Sequence, residues 1–253
     1  MDAQDEPRDD PAAPPAGERS GGAEPGGGDH RGEFRRAARL TSLFGIAFAM
    51  LFTVGLYLLT ATPGPRASDQ TLAAFYAGGN RRWIFIGGLY LVPFSAVAFL
   101  WFIAAVRRWA ELSGRPVDHL LSTVQSFSGV GFITLVFAAA GAATVVAASI
   151  DLGNTAVDPV LARQFPLYGQ VLLMVFGLRM AAIFVTATAN IGHRAGIYPR
   201  WFAYGSYAVA AVLFLTASLN RLLVLVFPLW VVVLCGLIWT MPARTAERAP
   251  AKR

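Results

Sequence analysis

The sequence predicts an all-α fold, a polytopic transmembrane bundle of six helices behind a disordered N-terminal tail. Three observations carry this. Hydrophobic residues make up 55% of the 253 residues and charged ones only 14%, with a mean hydropathy of +0.52, a balance too apolar for a soluble domain of this length. The apolar residues fall in runs near the roughly 20 residues that a helix rising about 1.5 Å per residue needs to cross a hydrocarbon core about 30 Å thick. No Asp or Glu interrupts them: after residue 33 the acids are Asp69, Glu111, Asp118, Asp151, Asp158 and Glu247, all in flanks or loops.

Residues 1–34 come first, an acidic segment rich in Pro and Gly. With almost no large apolar side chain, it cannot offset the entropy of ordering its backbone, so it is expected to be disordered. It lacks the order of basic start, apolar centre and small-residue cleavage site of a secretory signal. A transmembrane domain is expected over 35–242 and a basic tail over 243–253.

The expected spans are 40–62, 83–106, 124–150, 167–189, 201–219 and 222–240. The last two are separated only by Asn220 and Arg221. Forty continuous helical residues would be about 60 Å long, twice the core, so the chain is read as folding back at "SLNRL". In the loops, Ser68 ahead of "DQTLAAFYAGG" reads as an N-cap, with Gly78 and Gly79 as the stop. Asp158-Pro159 reads as the cap and first turn of another short helix, "VLARQF". Both are expected to pack as lids over the bundle. The third span is rich in Gly and Ala, with Ala138 and Ala142 as a small-xxx-small pair, which places it centrally. Pro93 and Pro228 are expected to kink their helices.

Charge sets the orientation. Residues 1–33 carry nine acids and three bases, so the rest of the chain holds +12 of the overall +6. Twelve bases flank one side of the spans (Arg35, Arg36, Arg39, Arg107, Arg108, Arg115, Arg194, Arg200, Arg244, Arg248, Lys252, Arg253) and five the other (Arg66, Arg81, Arg82, Arg163, Arg221). The positive-inside bias puts the twelve, and both termini, in the cytoplasm of a plasma-membrane protein. Trp83, Trp109, Trp201 and Trp239 lie at span ends, as an aromatic belt would. No separate basic domain exists to hold nucleic acid, so the bases are assigned to membrane flanks and anionic lipid.

Arg179 breaks the fourth run near its middle. To reach an interface its guanidinium would climb roughly 18 Å along the helix, farther than snorkelling covers. At 100° per residue, Tyr168, Thr186 and Asn190 share its face. That polar stripe, Tyr168, Arg179, Thr186 and Asn190, is expected to face the bundle and is the candidate anion- or lipid-binding site. Insertion is feasible: a central Arg costs about 2.5–3.5 kcal/mol, against roughly 0.3–0.6 in favour from each Leu, Ile, Phe or Val. Three partners for Arg179 stand open. They are carbonyls and hydroxyls such as those of Tyr90, Ser95, Thr134 or Tyr207; Asp151 or Asp158 reached from the loops; and an anion, either a lipid phosphate or a small solute.

Catalytic chemistry is not indicated. The single Cys235 forms no internal disulfide or thiol pair, and His30, His119 and His193 have no metal-ligand spacing, so no metal site or cofactor is expected. "SFSG" at Ser126–Gly129 has no histidine in a later span to activate a serine. The segments "GLRMAAIFVTATANIGHRAGIYPRWFAYGSY", "FIGGLYLVPFSAVAFLWFIAAVRR" and "LVFPLWVVVL" resemble a group of uncharacterised six-span integral membrane proteins of actinobacteria, over about residues 35–240. The pattern from Leu178 to Trp201 carries most of the likeness. The resemblance implies a plasma-membrane bundle and assigns no activity or site residues. Three functions remain: a binder or transporter of an anionic solute or lipid headgroup, a structural or regulatory subunit of a membrane complex, and a membrane enzyme without a recognised motif.

Overall fold

The computed structural model describes residues 27–64, 66–113, 118–153, 156–216 and 221–240. They form an all-α transmembrane bundle, with no strand among the described residues. Its helices are α1 Gly27–Thr60, α2 Asp69–Ala77, α3 Arg81–Glu111, α4 His119–Gly153, α5 Pro159–Arg194, α6 Arg200–Leu215 and α7 Arg221–Thr240. Five of them, α1, α3, α4, α5 and α7, are long and apolar enough to cross a membrane. With 16 residues, α6 rises only about 24 Å.

The bundle is tied at its centre by aromatic rings. One phenylalanine comes from each of the five long helices: Phe48 of α1, Phe99 of α3, Phe132 of α4, Phe184 of α5 and Phe227 of α7. Phe99, wholly buried, has its ring centroid 4.6 Å from Phe48, 5.7 Å from Phe132, 5.2 Å from Phe184 and 5.6 Å from Phe227. Most of these pairs are tilted or edge-to-face, the arrangement the ring quadrupole favours, worth about 0.5–1.5 kcal/mol each beyond area burial. Beside this junction α6 packs through Phe202, stacked on Trp230 of α7 at 6.2 Å. Ser206 accepts a hydrogen bond from Trp230 Nε1 at 2.9 Å.

Ion pairs close the two ends. At the end covered by α2, here the lid end, Arg81 pairs with Asp151 at 2.8 Å. Arg163 there holds both the Asp69 carboxylate and the Ala67 carbonyl. The Ser68 hydroxyl caps α2, accepting from Thr71 N–H as the sequence predicts. Burial pushes the Tyr76 phenol above its ordinary value, and its hydroxyl has no hydrogen-bond partner among the described residues. At the opposite, basic end Arg194 meets Asp118 at 3.4 Å and Arg107 meets Glu111 at 3.2 Å. There α5 stops in a Schellman turn: Gly196 has φ 58°, and the Ile197 and Tyr198 N–H groups donate to the Gly192 carbonyl. The turn folds Tyr198 back beneath the bundle, where it stacks on Trp109 at 6.0 Å. A Cβ at Gly192 would lie 2.0 Å from the Tyr198 ring.

Several expectations are corrected. The tail does not reach residue 34, because α1 begins at Gly27 and Phe34 is held against Trp109 at 5.8 Å; residues 1–26 and the tail over 243–253 lie outside the described residues. The Asp158 cap is present, accepting from Val160 N–H at 2.8 Å, but the helix it starts runs on into the fourth span. The fifth span ends at Leu215, and the expected turn at 217–220 lies outside the described residues. Trp109 is buried, not part of a belt. On α4 the close-packing pair is Ala139 and Ala143 rather than Ala138 and Ala142: a Cβ at Gly169 of α5 would lie 2.6 Å from the Ala139 carbonyl. Pro93 follows a π-turn, Gly87–Leu91, in which the Val92 N–H reaches back to the Gly87 carbonyl. The wider turn carries the proline without a broken helix.

The junction sets a test of the fold. Phe99→Ala is expected to destabilise the bundle by about 3–5 kcal/mol, whereas Phe176→Ala, on the outer face, should stay within about 0.5 kcal/mol. Reversible unfolding in mixed detergent measures both.

Candidate functional site

Arg179 sits on α5 just beyond a second π-turn, Leu172–Gly177, where the Leu178 N–H donates to the Leu173 carbonyl. A π-turn reaches back five residues instead of four. It therefore inserts about one extra residue and rotates everything on its far side by about 100°. Thr186 and Asn190 lie on the same side of the turn as Arg179 and keep its face. Tyr168 lies beyond the turn and is rotated off it.

The face points out of the bundle, which corrects the expectation that it turns inward. Tyr168 is 58% exposed, Thr186 is exposed, and Arg179 and Asn190 are half-buried. The inward side of α5 carries Leu178, Ala181, Phe184, Val185 and Thr188. It is filled by the phenylalanine junction and by a buried hydrogen bond from Gln125 Nε2 to Thr188 Oγ1 at 2.7 Å. Sequence reasoning missed this pair; the available signal was an amide side chain at the start of a span otherwise lined with Gly and Ala.

Arg179 Nη1 donates to the Val175 carbonyl, one turn back on its own helix. Four of the six candidate partners are engaged elsewhere. Asp151 holds Arg81, Asp158 caps α5, Ser95 donates to the Val92 carbonyl and Thr134 to that of Val130. Among the described residues no salt bridge involves Arg179.

Its depth follows from the junction. Phe184 and Phe227 touch, with centroids 6.2 Å apart, so they mark one level. Along α5, Arg179 stands about 7.5 Å above that level towards the lid end, while α7 begins only about 9 Å above it. By contrast α1, level with Phe227 at Phe48, continues about 18 Å further to Thr60. Arg107, Arg39 and Arg194 lie about 12–15 Å below it, whereas at the lid end Arg81 and Asp151, paired with each other, lie about 27–29 Å above it along α3 and α4. Helical side chains lean towards the helix N-terminus, here the lid end, and the bond to Val175 shows this lean. Arg179 therefore stands about midway between the two charged ends, with its guanidinium leaning towards the lid end.

Below it, α4, α5 and α6 enclose an open groove of ≈ 540 Å³ lined by Leu121, Ile183, Thr186, Asn190, Tyr207 and Phe214, among others. Thr186 and Asn190 are thus brought together, with Tyr207 opposite them; Arg179 stands one turn above the groove and Tyr168 apart from it. Among the described residues no three His, Cys, Asp or Glu side chains converge.

The outward face sets a labelling test. Cys235 is buried, so an introduced cysteine reports alone: a nitroxide at Thr186→Cys should collide readily with membrane-dissolved oxygen, and one at Ala181→Cys should be shielded. Spin-relaxation measurements distinguish the two. No protein-family model, curated protein or solved structure matches the chain.

Proposed function

We propose that this multi-pass membrane protein binds the phosphate or carboxylate of an anionic lipid headgroup or small solute at Arg179, as a binder or carrier rather than an enzyme. One observation carries the reading: a half-buried guanidinium on a spanning helix whose only hydrogen bond among the described residues is to a neutral carbonyl of its own helix. A guanidinium keeps its charge and offers five donors, so most of its capacity is left for an oxyanion. An intramembrane cation without a fixed mate is by default a functional feature. The basic end is read as cytoplasmic and the membrane as the plasma membrane, from the twelve flanking bases. The likeness of Leu178–Trp201 to the six-span actinobacterial proteins belongs to the same reading.

Purified from membranes, the wild-type chain is expected to retain phospholipid in native mass spectrometry. Arg179→Leu should lose about tenfold in that retention while unfolding at the wild-type midpoint, and Arg179→Lys should keep part of it. Competition separates the sources: release of the lipid by added inorganic phosphate or acetate marks a solute site, and resistance to them marks a lipid site. Unchanged retention in Arg179→Leu overturns the proposal.

A further inference from the structure

A second groove, ≈ 460 Å³ in volume, runs down the outside of the bundle between α1 and α3 at the basic end. Its mouth carries Arg36 from α1 and Arg108 from α3; its walls below are Leu40, Phe44, Trp101 and Ala105. The spacing explains the shape. Arg36, Leu40 and Phe44 stand four residues apart and line one face of α1. On antiparallel α3, Arg108, Ala105 and Trp101 descend the facing side, and the small Ala104 and Ala105 leave the space between. Phe44 and Trp101 stack at 5.7 Å and 20° to close the bottom. By rise per residue the two arginines lie about 14–18 Å below the phenylalanine junction, at headgroup level, and the Phe44–Trp101 stack lies only about 3–6 Å below it.

We propose that this groove holds an anionic phospholipid, its phosphate between Arg36 and Arg108 and one acyl chain laid along Leu40, Ala105 and Trp101. The charge favours this occupant. Arg36 has no carboxylate partner among the described salt bridges, and Arg108 has only Glu33, at a loose 3.8 Å, with both side chains about half or more exposed. A phosphate competes with Glu33 for that guanidinium and gains Arg36 as well. Basic pockets between spanning helices at the positively flanked side recognise anionic headgroups in this manner. The exposed Trp101 ring supplies an apolar wall for a chain. This site stands on different helices from Arg179, at the other end of the bundle, and does not depend on the reading given for it.

Trp101 makes the test direct. The full chain is titrated in detergent micelles with phosphatidylglycerol or phosphatidylcholine carrying brominated acyl chains, and the Trp101 signal is taken as wild type minus Trp101→Phe. Phosphatidylglycerol should quench that signal at a mole fraction about threefold or more below that needed by phosphatidylcholine. The double variant Arg36→Gln/Arg108→Gln should abolish the preference. Glu33→Gln should enlarge it, an opposite sign that a loss of folding does not produce. Arg179→Leu should leave it unchanged. Equal quenching by the two lipids, or a preference that survives the double substitution, overturns the inference.

Discussion

Contact among five phenylalanines, one from each long helix, fixes the height at which each of those helices sits against its neighbours. Phe48, Phe99, Phe132, Phe184 and Phe227 meet within 4.6–6.4 Å. In a membrane, lipid tails are as apolar as the side chains, so association draws on close packing rather than on removal from water. Interlocked rings supply that packing where Gly and Ala alone would let helices slide. Once the rings are in register, unequal helix lengths become differences in height: α1, α3, α4 and α5 rise well past the junction at the lid end, and α7 starts less than two turns above it.

That unevenness gives Arg179 its setting. A guanidinium flanked by helices of equal height would be surrounded on the bundle side by apolar backbone and side chains. Here the described parts of α6 and α7 end near its own level, and the N-terminal lean of its side chain carries the charge towards the lid end. The π-turn at Leu172–Gly177 contributes independently, because it decides which residues can share the cation's face. With Tyr168 rotated away, the polar groups left on that face are Thr186 and Asn190, lower down in the groove with Tyr207.

The sequence made the class, the six apolar runs and both loop caps legible, because span length, missing acids and N-cap chemistry are local signals. The Ser68 and Asp158 caps required only their own following turns. What escaped it depends on neighbours. Tyr168 was placed by uniform 100° steps, and a π-turn, whose extra residue has no compositional mark, broke the count. Trp109 reads as a belt residue by position, yet the Schellman turn at Gly196 brings Tyr198 over it and buries it. The small-residue seam of α4 was one residue out of place, because composition shows a seam's presence and only the Gly169 partner shows its side.

Which arginines can meet an outside anion is decided by where the few carboxylates lie. Asp69, Asp118, Asp151 and Glu111 are each committed to an arginine, and Asp158 to the amides that begin α5. Three of those four ion pairs join helices or a helix and its adjoining loop across the bundle; the fourth, Arg107–Glu111, lies within α3. All are partly solvent-exposed, so their individual contributions to stability are small. Their larger consequence is selective. By neutralising Arg81, Arg163, Arg107 and Arg194 in place, they leave Arg179 with a backbone carbonyl and Arg36 with no carboxylate among the described residues, as they also leave Arg35, Arg39, Arg66, Arg82 and Arg200. Charge that the fold does not balance internally lies beside open grooves whose walls are otherwise apolar. A surface of that kind is matched by amphiphiles with a negative head, and the scarcity of acids in the spans is what keeps it so.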